Sequence, residues 1–145
     1  MTLDHHLDGA LDAAREAVTS ARELADGEPG SLGRSRDLAV AELALGDLFI
    51  LRKEPPEAVA HHREAARRIT GIAEKMPENR GARAEKAWCL GVLGKTLVAT
   101  AQKKEARERL TEAREIWLEL KKGEPLTQQQ EAALAGTVEL LAGLR

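Results

Sequence analysis

Side chains able to do chemistry are few in this sequence, and their spacing argues against most reactions. The four histidines come as two adjacent pairs, His5-His6 and His61-His62. Neighbouring residues on a helix point about 100° apart, so neither pair can grip one ion from one face. His61 has Glu57 and Glu64 at i−4 and i+3, a thin possibility for a metal. Glu-x-x-His, the di-iron bundle signature, is absent. The pairs read as solvated helix-surface histidines, and no metal is expected. The run from His61 to Arg68 forms a basic stripe that suits a phosphate or an acidic partner. It reads more simply as a solvated face paired with Glu57 and Glu64, where exposed ion pairs contribute little.

Other catalytic constellations fail as well. Cys89 is the only cysteine and has no histidine near it in sequence. It reads as a small buried residue of a helix, and its isolation fits a reducing, cytoplasmic compartment. The segment Gly27-Glu28-Pro29-Gly30-Ser31-Leu32-Gly33 follows a helix rather than a strand, so it reads as a turn and not as a phosphate loop. There is no nucleophile elbow and no zinc-ligand spacing. Carboxylates are spread over polar faces, and none is expected on an apolar face as a tuned acid would be. The expectation is a protein that is not an enzyme and carries no cofactor.

The elements that hold these residues are helices. Apolar residues make up 43% of the 145, charged residues 32% and aromatics 2%. The core must therefore be aliphatic, built on Ala, Leu, Val and Ile, and the dominant residue types are strong helix formers. Net charge is −2 with both signs interleaved, which leaves no basic footprint for nucleic acid and no polybasic membrane anchor. No apolar run approaches the ~18 residues of a membrane span. Met1 to His6 lacks the pattern of a signal peptide.

A repeat organises the chain. Pro29, Pro77 and Pro125 stand 48 apart, each in a polar break. Two residues later come the helix-starting types Ser31, Asn79 and Thr127, and Gln130 completes a capping box with Thr127. The same interval aligns Ala10, Ala58 and Ala106; Ala17, Ala65 and Ala113; Ala39, Ala87 and Ala135; and Leu45, Leu93 and Leu141. Leu24, Ile72 and Leu120 share an apolar station, and Glu16, Glu64 and Glu112 an exposed one. A second turn falls at Arg52 to Pro56 and again at Ala101 to Lys104. Six helices are predicted, over 3–26, 31–51, 56–75, 80–100, 103–122 and 127–144. Each is about 20 residues and hence about 30 Å long.

Stripes at three-to-four spacing mark the buried faces. One is Val59, His62, Ala66, Ile69, Ile72 and Ala73; another is Ala106, Leu110, Ala113, Trp117 and Leu120. Leu134, Val138, Leu141 and Leu144 line one face of the last helix. Short turns force consecutive helices to be antiparallel. The aligned alanines predict close helix crossings. Gly46 and Gly94, at the same register, each cost up to about 1 kcal/mol against Ala in mid-helix, which points to close contact with a partner helix.

Leu45-Gly46-x-x-Phe49 with Ala58 and Ala65, and Leu93-Gly94-x-x-Leu97 with Ala106, Leu110 and Ala113, resemble the tetratricopeptide repeat (TPR). The resemblance implies an α-solenoid of antiparallel hairpins, an all-α fold of about six helices. It implies one repeat domain over 1–145: a half-unit 1–30, repeats 31–78 and 79–126, and a capping helix 127–145. The period of 48 exceeds the family's usual ~34, and resembles long-helix bacterial arrays found at the ends of larger signalling proteins. The first helix carries only the second-helix half of the motif, so its missing mate is expected upstream in a larger protein.

In such arrays the first helix of each pair lines a concave groove. Carried over, the partner-binding residues are Val40, Leu43, Asp47, Ile50, Leu51, Trp88, Lys95 and Val98, with Gly91, Ala99, Gly136, Glu139 and Gly143 beside them. The groove is apolar with Trp88 as anchor, suited to a helix or an extended peptide. The competing reading buries these positions in the core of longer helices. Leu43, Asp47 and Gly91 do not supply the family's carboxylate clamp, so a free C-terminus is not the expected ligand. The partner expected is a protein or peptide, not nucleic acid or membrane. The alternative is a self-associating scaffold in which repeat ends or the groove pair with another copy as a homo-oligomer.

Overall fold

A computed structural model describes residues 3–145, with side chains described from His5 onward. Met1 and Thr2, part of the segment read above as lacking a signal peptide, lie outside the described residues. Among the described residues there are six helices and no strand: α1 (Leu3–Gly27), α2 (Leu32–Leu51), α3 (Pro55–Lys75), α4 (Arg80–Ala99), α5 (Lys103–Gly123) and α6 (Gln128–Gly143). These bounds match the predicted spans to within a residue or so. No helix among the described residues is long and apolar enough to cross a membrane.

Local chemistry explains the boundaries. Ser31 Oγ accepts the Arg34 N–H at 3.1 Å and Asn79 Oδ1 accepts the Ala82 N–H at 2.9 Å. Thr127 and Gln130 form a reciprocal capping box. Each cap satisfies an amide that the helix start leaves without a partner, worth about 0.5–2 kcal/mol. Pro55 and Pro56 occupy the first turn of α3, where no N–H is needed.

The turns inside the hairpins share one geometry that the sequence does not announce. Lys53 and Ala101, 48 apart, both have φ of 60°. Around them, Glu54 N–H donates to the Phe49 carbonyl and Lys53 N–H to that of Ile50; Gln102 and Ala101 repeat this on Leu97 and Val98. Both are Schellman turns with a side chain at the left-handed position that normally holds glycine.

The chain divides into two compact units, Met1–Ile72 and Ala73–Arg145. In the first, α1 and α2 run antiparallel around Leu11, Val18, Ala25, Leu38, Leu45, Phe49 and Ala58. Arg52–Asp8 and Arg22–Glu42 contacts tie the two helices together. α3 meets α2 through Ala58 and through the contacts of His62 with Gly46 and of His61 with Glu42; Ala58 and Ala65 are both fully buried. In the second unit α4, α5 and α6 enclose Ala87, Trp117, Leu120, Leu126 and Leu134. Arg80 donates to the carbonyls of Leu120 and Glu124 at 2.7 and 2.8 Å. Arg107 donates to the Leu144 carbonyl at 2.7 Å. Both guanidinium groups thereby satisfy carbonyls at helix C-termini.

The expected close crossings are present. A Cβ placed on Gly94 would lie 2.5 Å from Leu110 Cγ and Cδ2, and one on Gly46 would lie 2.6 Å from His62 Nε2. Neither position has room for alanine without movement of its partner.

Some stations depart from the repeat. Ala10, Ala17 and Leu24 on α1 are exposed, and so is Val138 on α6, whereas their counterparts on α3, α5, α2 and α4 are buried. Glu64 and Glu112 are partly buried through ion pairs with Arg68 and Lys86, so only Glu16 fits the exposed station. A shared register fixes the type of a helix face, but a neighbouring helix is needed to cover it.

Candidate functional site

On α4 the residues facing α5, namely Ala87, Leu90, Leu93, Gly94 and Leu97, are buried. Trp88, Gly91 and Lys95 fall about a third of a turn away, toward α6. There α6 offers small residues, Ala133 and Gly136, so the two helices leave a cleft of about 240 Å³. Its other walls are Val92, Thr137, Leu140 and Trp117. Gly91 is one reason the cleft is narrow: a Cβ there would already touch Thr137 Oγ1 at 3.5 Å. Trp88 is 43% exposed and Lys95 is exposed at the rim. Trp117 is buried, and its Nε1–H has no acceptor among the described residues. The cleft is thus apolar, half-covered by an indole, with one cation at its mouth. A larger hollow of about 690 Å³ at the start of α5 is lined by Lys103, Lys104, Glu105, Glu108 and Arg109, which offer a partner little apolar surface to desolvate.

The other residues predicted to bind a partner lie elsewhere. Val40, Leu43, Asp47, Ile50 and Leu51 belong to α2 in the first unit. None is in the core: Val40, Ile50 and Leu51 are 48%, 40% and 63% exposed, Asp47 is exposed and Leu43 is half-buried. Asp47 is already engaged, because His62 Nε2–H donates to its Oδ1 at 2.9 Å. Val98 is half-buried on α4 and does not line the cleft. Trp88 and Lys95, with Gly91 and Gly136 expected beside them, therefore share one concave site.

The histidine pair on α3 separates two expectations. His62 is 1% exposed against Gly46, as its place on the buried stripe implies and against the reading of a solvated pair; His61 is partly buried and stacked on Phe49 with ring centroids 5.5 Å apart. Glu42 overturns another, since it is a carboxylate on the buried face of α2, only 2% exposed. Arg22 donates to its Oε1 and His61 Nδ1–H to its Oε2, each at 2.6 Å. Arg15 lies over the Phe49 ring at 5.7 Å. Each carboxylate oxygen thus holds a partner from a different helix, and the cluster acts as a clamp joining α1, α2 and α3. The signal for it was present in the sequence: Glu42 falls on an apolar stripe, at the register of Leu90 and Val138.

Glu64 answers to Arg67 and Arg68, at 2.7 and 2.9 Å. The hydrogen bond from Arg67, with the two positive charges, holds its carboxyl below the usual glutamate range despite partial burial. This accounts for much of the basic stripe as a self-paired surface. Among the described residues no three His, Cys, Asp or Glu side chains gather closely enough to hold a metal. Cys89 is buried on α4, as its helical position implies.

No protein-family model matches the chain, and no curated protein or solved structure is significantly similar to it.

Proposed function

We propose that this chain is a protein-binding module, a TPR-like α-solenoid of antiparallel hairpins acting in the cytoplasm, as a regulatory or scaffolding part of a larger bacterial signalling protein. The partner is a helix or extended peptide that inserts an apolar side chain between α4 and α6. The observation that carries this reading is the half-exposed Trp88 beside an apolar cleft. Exposed indoles next to a pocket are the usual anchors of interfaces, because they bury a large area at little entropic cost. The size of the cleft also favours a peptide side chain. At about 240 Å³ it falls below the ~300–1,000 Å³ typical of small-molecule sites. Lys95 at the rim favours a partner with an acidic residue flanking the inserted group. No reaction or cofactor enters this reading.

The test is affinity capture from native cell extract with the wild-type chain, Trp88→Ala and Lys95→Glu. Both substituted residues are exposed, so helicity by circular dichroism should be unchanged. A protein retained by the wild type and lost by both variants supports the reading. Identical capture by all three contradicts it.

A further inference from the structure

We propose that copies of this chain join end to end, with α6 of one copy docking on α1 of the next as the two helices of a hairpin. The hairpin interface occurs twice inside the chain, so its two faces are known. On the second helix of each pair its stations are Ala58, Ala65 and Ile72, then Ala106, Ala113 and Leu120, all at most 7% exposed. α1 repeats these stations as Ala10, Ala17 and Leu24, yet all three are exposed, Leu24 by 49%. On the first helix the stations are Ala39, Glu42 and Gly46, then Ala87, Leu90 and Gly94, all buried. α6 repeats them as Ala135, Val138 and Ala142, again all exposed, Val138 by 46%. α1 thus exposes the second-helix face, and α6 exposes the first-helix face.

The two free faces also match in detail. Inside the chain, glycine receives a large side chain: Gly46 takes His62 and Gly94 takes Leu110, with no space for a Cβ. α6 departs from this rule, carrying Ala142 at the glycine station. α1 departs in the compensating direction: Ala14, partly buried at the edge of the α1–α2 core, stands at the station of His62 and Leu110. A methyl is added on one face where a side chain is shortened to a methyl on the other. The neighbouring station follows suit. Glu42 is met by His61, whereas Val138 would be met by Ala13, an apolar pair in place of a polar one. Covering an exposed Leu and Val in this way is favourable at about 25 cal/mol per Å² of apolar surface. Because the two faces differ, the contact is heterologous, and the assembly either closes into a ring or extends.

This contact uses neither Trp88 nor Lys95 and stands or falls apart from the cleft. Its test is light scattering coupled to size exclusion, from about 10 μM to about 1 mM, the range in which weak association registers. The wild-type mass should climb above 15.7 kDa with concentration. Ala17→Glu, with Leu24→Glu as a second variant, disables the α1 face; Val138→Glu disables the α6 face. All are exposed positions, so helicity should be kept. Each variant alone should be monomeric. An equimolar mixture of Ala17→Glu and Val138→Glu retains one intact interface and should give a species of two chains and nothing larger. A wild-type monomer throughout the range would overturn the proposal. So would variants that assemble like wild type, or a mixture that stays monomeric.

Discussion

In the hairpin of α2 and α3, Gly46 receives the imidazole of His62, Asp47 accepts a hydrogen bond from that ring, and Glu42 holds His61 and Arg22. Forty-eight residues on, in the hairpin of α4 and α5, Gly94 receives Leu110, Lys95 stands in place of Asp47, and Leu90 in place of Glu42. The backbone device is the same in both: a glycine at the crossing, fully buried alanines beside it, and a Schellman turn at the end. The filling is polar in one and apolar in the other. Close approach of the helices is therefore set by what is absent from the side chains, and the filler is free to change so long as its neighbours change with it. The polar version is not inherently stronger. Desolvating a carboxylate and its partners costs about what their attraction returns, whereas a buried leucine contributes about 1.5–3 kcal/mol directly.

The contrast is broken most severely by exchanging the fillers. Leu110→His should destabilise the protein by about 2–5 kcal/mol in urea unfolding, since the imidazole would be buried opposite Lys95 with no acceptor. His62→Leu should cost under about 1.5 kcal/mol, because the residue is similar in volume and Asp47 is free to turn to water. Equal costs in both directions would mean that the neighbours at positions 47 and 95 do not decide the filler.

Overpacking the alanines probes what the two hairpins share. Ala65→Leu and Ala113→Leu should each lower stability by about 1–3 kcal/mol. Melting temperatures equal to wild type in both would contradict the close-crossing account.

Much of this was legible in the sequence. Proline spacing, cap residues and alanine register located the helices and the crossings, because these signals are local or strictly periodic. The turns were not legible in their detail. Lys53 and Ala101 adopt the left-handed conformation without the glycine that would mark it, held by hydrogen bonds to carbonyls at the end of the preceding helix. The clamp on Glu42 was missed because its partners lie 19 and 20 residues away and become neighbours only when three helices meet. Of the eight predicted groove residues, Trp88 and Lys95 come together in a cleft because α6, with Ala133 and Gly136, leaves the space. That depends on a packing no single helix encodes.

The shared turn gives a smaller, opposite effect. A non-glycine residue in the left-handed region costs about 1–2 kcal/mol, part of which glycine returns through unfolded-state entropy. Lys53→Gly and Ala101→Gly should therefore each stabilise by about 0.5–1 kcal/mol. A loss of stability in either would show that its side chain is needed in the turn.

The smallest effect concerns acid. Glu64 has its folded pKa lowered chiefly by the Arg67 hydrogen bond. Its contribution is present above the unfolded glutamate pKa and is lost as the pH falls through the folded value. Glu64→Gln should thus lose less stability than wild type on acidification through and below the usual glutamate range. Parallel acid limbs for the two proteins would mean that the ion pair contributes nothing.

The most direct test of the crossing is a double-mutant cycle on Gly94 and Leu110, read by urea unfolding. Alone, Gly94→Ala should destabilise by about 1–3 kcal/mol, because its methyl meets Leu110 at 2.5 Å. In the Leu110→Ala background the methyl has room, and the same substitution should stabilise by up to about 1 kcal/mol through helix propensity. That reversal of sign is the predicted result. Effects of Gly94→Ala that agree within about 0.5 kcal/mol in the two backgrounds would contradict the claim that the repeated glycine exists to admit the partner's side chain.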